Sequence, residues 1–265
     1  MKIAVCVKHV PDAQGDRGFR ADTTTDREAV DGLLSELDEY AVEEAVRLRE
    51  SGAAGDDAEV VALTIGPADA RDALKKALQM GADAGVLVSD DAIHGSDAVG
   101  TSLVLAKALE KVGADLVLTG MASTDGGMGV VPAMVAERLG LPQVTYAAEV
   151  TLSGGAGGTV RIRRDGDAST ETVEASLPAL VSVTDQINEP RYPSFKGIMA
   201  AKKKPVEEWT LADIGVDPAD VGLDAAWTAA VEAEARPPKQ AGTVVTDEGD
   251  GAAKLVEFLA SQRLV

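Results

Sequence analysis

Short apolar runs that alternate with helix-like stretches are the feature that most constrains how this chain can fold. The strands that these runs predict are Lys2–Val7, Glu59–Ile65, Gly85–Val88 and Ala114–Thr119. Continuous apolar runs of this length are expected of strands that are buried on both faces of a parallel sheet. Amphipathic patterns between and after them predict helices at 35–50, 68–80, 96–112 and 126–139. The alternation therefore predicts an α/β fold built on an open, mostly parallel sheet.

The chain changes character after Pro142. Alternating segments separated by Gly-rich or Asp-Gly turns predict an antiparallel meander, with strands at Thr145–Leu152, Thr159–Arg164 and Thr170–Ala175. The buried pattern of Ala179–Thr184 then predicts a return to the main sheet. We expect a doubly wound, Rossmann-like α/β domain at 1–187, a projecting segment at 188–205 and a C-terminal arm at 206–265. The arm has little core of its own besides a helix near Gly251–Leu264, so we expect it to dock on a partner.

Composition excludes several classes of function. Asp and Glu number 44 against 25 Lys and Arg, a net charge of −19, so a nucleic-acid backbone would be repelled over most of the surface. Cys6 is the one cysteine, which excludes an internal disulfide and a CxxC pair and favours a reducing compartment. His9 and His94 have no partner spacing typical of a catalytic triad or a metal site. We therefore expect no catalytic residues, no metal and a cytoplasmic location.

The loop after the fourth run is the strongest candidate binding site. Gly126, Gly127 and Gly129 lie at the start of the predicted helix, whose free N–H groups could bind a phosphate; a Gly-rich turn without a ligand is the alternative. The string Gly127–Pro132 partly matches the fingerprint of dinucleotide-binding sites. It ends in Pro and follows the fourth strand rather than the first, which excludes a standard dinucleotide site. Ligands of open parallel sheets bind beyond the carboxyl ends of the strands. That rule adds two further segments to the candidate site, residues 6–8 and 35–38. We call these two segments and the loop at 120–131 the three edges of the site.

Residues 188–205 reverse the local charge of this acidic chain. Arg191 and four lysines follow Glu189 without an intervening acid, and Tyr192, Phe195, Ile198 and Met199 lie among them. Mixed apolar and basic side chains are typical of interfaces. The segment is therefore predicted to be an exposed, partner-facing loop. The alternative is the start of a helix over 197–204 that Ser194 caps.

These residues together resemble the β subunit of electron-transfer flavoproteins, in its actinobacterial form. The family also includes the Fix proteins of nitrogen-fixing bacteria. The similarity covers Lys2 to about Val216 and is looser in the tail. It rests on Val5–Lys8, Glu39–Ala45, Ala77–Asp83, Gly120–Val131 and Asn188–Lys204, of which the last is the most specific.

The resemblance implies an electron carrier subunit rather than an enzyme. In that family an adenine-nucleotide-binding β subunit buries an AMP of structural role and pairs with an α subunit that holds most of the FAD. Electrons pass from acyl-CoA-type and other flavin dehydrogenases, through that FAD, to a membrane quinone oxidoreductase. Two alternatives stay open: a bifurcating type with a second FAD in the β nucleotide site, and a free-standing adenine-nucleotide-binding protein of the stress type.

The resemblance also implies roles for individual residues. The AMP pocket falls on Cys6, Ser35, Glu36, Leu37, Asp38, Ile65, Gly120, Ser123, Thr124, Asp125, Gly126, Gly127, Met128, Gly129, Val130 and Val131. Asp165 is the acid expected to approach the flavin, where many relatives have Glu. Partner contacts fall on Arg191, Tyr192, Phe195, Ile198 and Met199, with Phe195 as the apolar anchor where relatives often have Leu. Ser-Glu-Leu-Asp at 35–38 replaces a commoner pattern that begins Asn-Pro-Phe, so contacts made by that Asn are not carried over.

Overall fold

The protein is described by a computed structural model that covers residues 1–234, 237, 242 and 244–265. Contacts divide the chain into two compact units, Met1–Ala233 and Glu234–Val265. Within the described residues, every helix is too short or too polar to cross a bilayer. The first unit carries all the candidate site residues named above.

The elements follow one another in the order that the apolar runs indicate. The strands of the described residues are β1 (Lys2–Cys6), β2 (His9–Pro11), β3 (Gly18–Phe19), β4 (Thr25–Asp26), β5 (Gly32–Leu34), β6 (Glu59–Ile65), β7 (Ala84–Val88), β8 (Leu116–Gly120), β9 (Gln143–Ala147), β10 (Glu149–Ser153), β11 (Thr159–Asp165), β12 (Thr170–Ser176), β13 (Ala179–Val183) and β14 (Val206–Trp209). The helices are α1 (Glu36–Glu50), α2 (Arg71–Met80), α3 (Ala98–Val112), α4 (Val131–Leu139), α5 (Phe195–Ala201) and α6 (Gly251–Ser261).

The central sheet is open and parallel throughout, which confirms the predicted fold class. Its strand order is β14-β7-β6-β1-β8-β13-β9. Its strands bury Ile3, Leu63, Leu118 and Leu180 completely, as their continuous apolar sequences require. One face packs on α1 and α2 and the other on α3 and α4.

The connections place a switch point at the carboxyl ends of β1 and β8. From β1 the chain passes through α1 to β6 on one side, whereas α3 brings it from β7 back to β8 on the other side of β1. The helices on either side of this reversal lie on opposite faces of the sheet. Ligands of doubly wound folds bind at such a point.

The meander differs from the prediction at its first strand. The segment predicted as Thr145–Leu152 is divided between β9, which extends the central sheet, and β10, which pairs with β11 and β12 in an antiparallel sheet. Tyr146 adopts a left-handed backbone with φ of 60°, and its N–H donates to Ser182 Oγ at 3.0 Å. This irregular backbone bends the chain out of the central sheet before β10 begins.

The C-terminal boundary also differs. Residues 206–209 form β14, which pairs with β7 at the edge of the central sheet, and the first unit continues to Ala233. Val206 and Trp209 pack against the two cores, so this stretch belongs to the α/β unit rather than to an arm that starts at 206. In the second unit, α6 confirms the predicted terminal helix, although it ends at Ser261.

The segment 188–205 is helical in its middle, so the prediction of a loop throughout is wrong. Ser194 Oγ accepts the N–H of Gly197 at 3.1 Å, and α5 starts at Phe195 and ends at Ala201. This is the capped helix that was the alternative, three residues shorter at its C-terminal end. The stretch before it remains extended, and Tyr192 is 93% exposed.

Candidate functional site

The three predicted edges meet at the switch point. Ser35 donates its backbone N–H to the carbonyl of Lys8 at 2.9 Å, and the Lys8 N–H donates to Asp38 Oδ2 at 2.9 Å. Ser35 Oγ makes no capping bond within α1 and instead accepts the N–H of Thr124 at 3.3 Å. Residues 6–8, 35–38 and 120–131 therefore form one continuous surface.

Asp38 is the buried centre of this junction. Its carboxylate accepts backbone N–H groups from Lys8 and Gly120, but burial is the larger effect and raises the pKa of Asp38 to about 7. A Cβ on Gly120 would lie 2.6 Å from Asp38 Oδ1 and 2.8 Å from the Leu37 carbonyl oxygen. Only glycine lets the end of β8 come this close to α1.

Cys6 lies close enough to Asp38 for the carboxylate to disfavour a thiolate there. Burial, followed by the negative charge of Asp38, raises the pKa of the Cys6 thiol to about 12. A thiol with so high a pKa stays protonated at neutral pH. Its side chain packs with Ile65 on the α3 and α4 face of the sheet. These two residues offer an apolar surface rather than a reactive group.

The glycine loop differs from its prediction in where the helix begins. Gly127 and Gly129 have φ of 63° and 67°, in the left-handed region, and a right-handed helix cannot continue through them. The helix α4 therefore begins at Val131, with Pro132 and no acid in its first turn. Among the described residues, the N–H groups of Met128, Gly129 and Val130 have no acceptor.

A buried hydroxyl at the same edge has no partner among the described residues. Thr119 is 8% exposed, and its Oγ1 makes no hydrogen bond with the described residues. Its neighbour Leu118 packs on the α1 face, so the alternation of β8 turns Thr119 toward the face of Cys6 and Ile65. A buried orphan hydroxyl at a strand end marks a place for a polar atom of a ligand or a water.

A basic cluster covers the glycine loop, and the sequence reasoning missed two of its members. Asp125 binds Lys8 Nζ at 2.8 Å and Arg27 Nη2 at 2.9 Å, and Arg17 Nη1 donates to the Thr124 carbonyl at 3.0 Å. Burial acts to raise the pKa of Asp125, yet the charge and hydrogen bond of Lys8, together with Arg27, hold it well below its usual range. Arg17 and Arg27 come from the polar stretch between β2 and β5, whose unusual length was the available signal.

The remaining nucleotide-site residues lie on the rim of this surface. Glu36, Gly126, Met128 and Val130 are exposed, and Ser123 Oγ lies 3.3 Å from Lys8 Nζ. The structure thus brings the predicted pocket residues together. Their binding of a nucleotide stays a prediction.

The predicted partner-binding residues divide into two groups. Phe195 is 80% exposed, and Tyr192, Ile198 and Met199 are exposed with it. Arg191 instead turns toward α1, where it forms ion pairs with Glu43 at 2.7 Å and Glu50 at 2.9 Å. Partner contact by any of these residues stays a prediction, and for Arg191 the observed contacts lie within the chain.

Asp165 lies apart from the switch point, at the last position of β11 in the antiparallel sheet. Its carboxylate binds Arg163 Nη1 at 2.5 Å and accepts from Thr170 Oγ1 at 3.0 Å. The side chain is 38% exposed, and both of its oxygens have partners within the chain. Its approach to a flavin stays a prediction.

Comparison with known proteins adds to this geometry. Residues 22–214 match the family model described as the electron transfer flavoprotein domain. The chain is 48% identical, over 99% of both chains, to the protein named electron transfer flavoprotein subunit beta of Mycobacterium tuberculosis, and 36% identical, over 92% of both, to its namesake from Clostridium acetobutylicum. It is also 34% identical, over the full length of both chains, to caffeyl-CoA reductase-Etf complex subunit CarD of Acetobacterium woodii.

Proposed function

Because the chain belongs to the electron transfer flavoprotein β-subunit family, we propose that it is the AMP-binding half of a heterodimer whose α subunit holds most of the FAD. In this proposal the flavin accepts electrons from acyl-CoA-type and other flavin dehydrogenases and passes them to a membrane quinone oxidoreductase. The heterodimer works in the cytoplasm. The β subunit itself binds, positions and docks, and performs no chemical step.

The meeting of three edges at the switch point is the observation that carries the nucleotide proposal. The free N–H groups of Met128, Gly129 and Val130 would hold the phosphate, since they have no acceptor among the described residues. Lys8 and Arg27 both bind Asp125 of the same loop, and their two positive charges exceed its one negative charge. The donor set therefore fits a phosphate-bearing ligand.

The charges of the two helix starts orient the nucleotide within this site. The first turn of α1 carries Glu36, Asp38 and Glu39, whereas that of α4 carries no acid. A phosphate is repelled by the first and favoured at the second. The carboxylates of α1 suit ribose hydroxyls, which donate hydrogen bonds. The apolar surface of Cys6 and Ile65 suits an adenine ring.

Substitution of Gly127 tests the nucleotide proposal. Both Gly127→Ala and Gly127→Glu strain the left-handed backbone at this position, and a Cβ there meets no atom within 4 Å. Only the glutamate adds volume and negative charge beside the phosphate. We expect heat-denatured Gly127→Ala heterodimer to release about one equivalent of AMP and the Gly127→Glu heterodimer to release almost none. Equal release from both would refute the site.

A second FAD in place of AMP is the other candidate. It is favoured by the full-length similarity to a subunit of the caffeyl-CoA reductase-Etf complex. FAD and AMP share an adenosine phosphate end, so both fit the same donor set. Flavin release from wild type that is lost in Gly127→Glu would support this candidate. The similar proteins are named as subunits, which favours a heterodimer over the free-standing alternative.

A further inference from the structure

The segment 188–205 is fixed to the α/β unit at both ends, although its middle is exposed. At its start, Asn188 Nδ2 donates to the Tyr40 carbonyl and to Glu44 Oε2, both at 3.1 Å. At its end, Lys204 Nζ donates to the carbonyl of Leu78 in α2 at 3.0 Å and to that of Ala82, just after α2, at 2.5 Å. The segment is therefore a bridge with two anchored ends.

Arg191 is the strongest of these anchors. Its guanidinium makes four hydrogen bonds, two to Glu43 at 2.7 and 3.0 Å and two to Glu50 at 2.9 Å. Its backbone N–H adds a fifth, to Glu43 Oε2 at 3.1 Å. Glu43 and Glu50 are seven residues apart, so they lie on one face of α1 two turns apart. A planar guanidinium that binds two carboxylates in this way has little freedom left.

The contacts on either side extend this restriction to the exposed side chains. Pro190 and Pro193 restrict the backbone around Arg191 and Tyr192. Beyond them, a Cβ on Gly197 would lie 2.6 Å from the Gln79 carbonyl oxygen, which shows how closely α5 approaches the last turn of α2. The exposed Tyr192 and Phe195 are thus carried by a backbone that packs on two helices.

We propose that Arg191 is a positioning residue, which holds the segment against α1 so that Tyr192 and Phe195 meet an electron-donating dehydrogenase in one fixed arrangement. The inference rests on the proposed function and on the partner contacts that the family resemblance implies for this segment. It differs from direct partner contact, because the hydrogen bonds of the guanidinium are made within the chain. Without the ion pairs of Arg191 the segment samples other arrangements. The apparent affinity of the heterodimer for the dehydrogenase then falls in proportion to the fraction of molecules that keep the arrangement competent for docking.

The test uses the purified heterodimer with an acyl-CoA dehydrogenase as donor. We expect Arg191→Gln to raise the KM for the heterodimer about tenfold and to leave kcat within about twofold, as a tenfold loss of the competent fraction requires. Amide exchange over 192–199 should speed up. Arg191→Lys should give an intermediate KM, because an ammonium cannot bind both carboxylates bidentately. Glu50→Gln weakens one of the two ion pairs. It should raise KM and speed up amide exchange over 192–199, each by less than Arg191→Gln does.

Arg71→Gln is the matched control. It removes another ion pair between an arginine and a glutamate, Arg71 with Glu208, at the opposite end of α2. It should change neither KM nor exchange over 192–199. An increase in KM without faster exchange in Arg191→Gln would mean that Arg191 touches the donor directly, and would overturn the proposal. An unchanged KM would overturn it as well.

A separate variant distinguishes this proposal from the proposed function. Phe195→Ala removes the exposed anchor and leaves the contacts of Arg191 in place, so it should weaken docking without faster exchange. If Phe195→Ala and Arg191→Gln both left KM unchanged, the segment would not be the surface that meets the dehydrogenase. The docking part of the proposed function would then be refuted. If only Phe195→Ala raised KM, docking would stand and the role of Arg191 would fall.

Discussion

Replacing Gly120 with alanine places a methyl group between the end of β8 and the start of α1. The new Cβ would lie 2.6 Å from Asp38 Oδ1, 2.8 Å from the Leu37 carbonyl oxygen and 3.0 Å from its carbon. Two of these atoms are backbone, so a side-chain rotation cannot relieve the contact. The first turn of α1 must move away from β8 by about half an ångström or more to restore ordinary contact.

This movement costs stability in two ways. Overpacking a close contact costs about 1 to 3 kcal/mol. The displacement also stretches the hydrogen bonds that Asp38 accepts from Lys8 and Gly120, and an ordinary hydrogen bond contributes about 0.5 to 1.5 kcal/mol. With those bonds weakened rather than lost, we expect a total of about 3 kcal/mol, which lowers the melting midpoint of a unit of this size by about 6 to 12 °C.

The assay is thermal melting of the heterodimer beside measurement of the AMP that it retains. Gly126→Ala is the matched control, because its Cβ would have only ordinary contacts, 3.6 Å from Ser123 Oγ and 3.9 Å from Lys8 Nζ. We expect Gly120→Ala to melt well below Gly126→Ala and to lose AMP. Melting curves and AMP contents that coincide would refute the reasoning that the three edges depend on this close approach.

Three further predictions concern the junction, the docking segment and the tail. Burial raises the pKa of Asp38 from 3.8 to about 7, so between these pH values the folded chain keeps a proton on Asp38 that the unfolded chain has lost. The contribution of Asp38 to the free energy of unfolding therefore falls as the pH rises from about 4 to 7. Asp38→Asn has no such titrating group, so in urea unfolding the free energy of unfolding of the variant should rise relative to that of wild type between about pH 4 and 7. The same pH dependence for both proteins would contradict this. Phe195→Ala should slow electron acceptance from a dehydrogenase about tenfold to a hundredfold, since burying a Phe contributes about 1.5 to 3 kcal/mol; normal transfer with a lowered melting point would instead show that Phe195 packs on its own subunit. Deleting residues 242–265, which include α6 with Leu255, Val256 and Phe258, should abolish co-purification with the α subunit, and an undiminished heterodimer on size exclusion would count against this.

The sequence predicted correctly those parts of the fold whose own residues show the hydrophobic pattern of a buried strand. Lys2–Cys6 and Glu59–Ile65 are continuous apolar runs, and such runs are stable only inside a sheet covered on both faces. The edge strand Val206–Trp209 was missed because two of its four residues are exposed glutamates. Its strand conformation comes from pairing with β7, a contact that its own sequence does not encode.

The site was predicted in its position and missed in its detail. Glycines after β8 and the rule for parallel sheets pointed to the correct edge. The pairing of Arg27 with Asp125 joins residues 98 positions apart, and that of Arg191 with Glu43 joins residues 148 apart. No local pattern carries such distances. For that reason Arg191 looked like a free cation for a partner, whereas the folded chain neutralises it on α1.

Counting the AMP and flavin that one purified heterodimer releases on denaturation tests the account most directly. Liquid chromatography separates AMP from FAD, and the absorbance of the flavin fixes its amount independently. The account predicts about one AMP and one FAD per heterodimer, with the AMP lost in Gly127→Glu and the FAD retained. Two FAD and no AMP, or one FAD and no nucleotide in the β subunit, would contradict it.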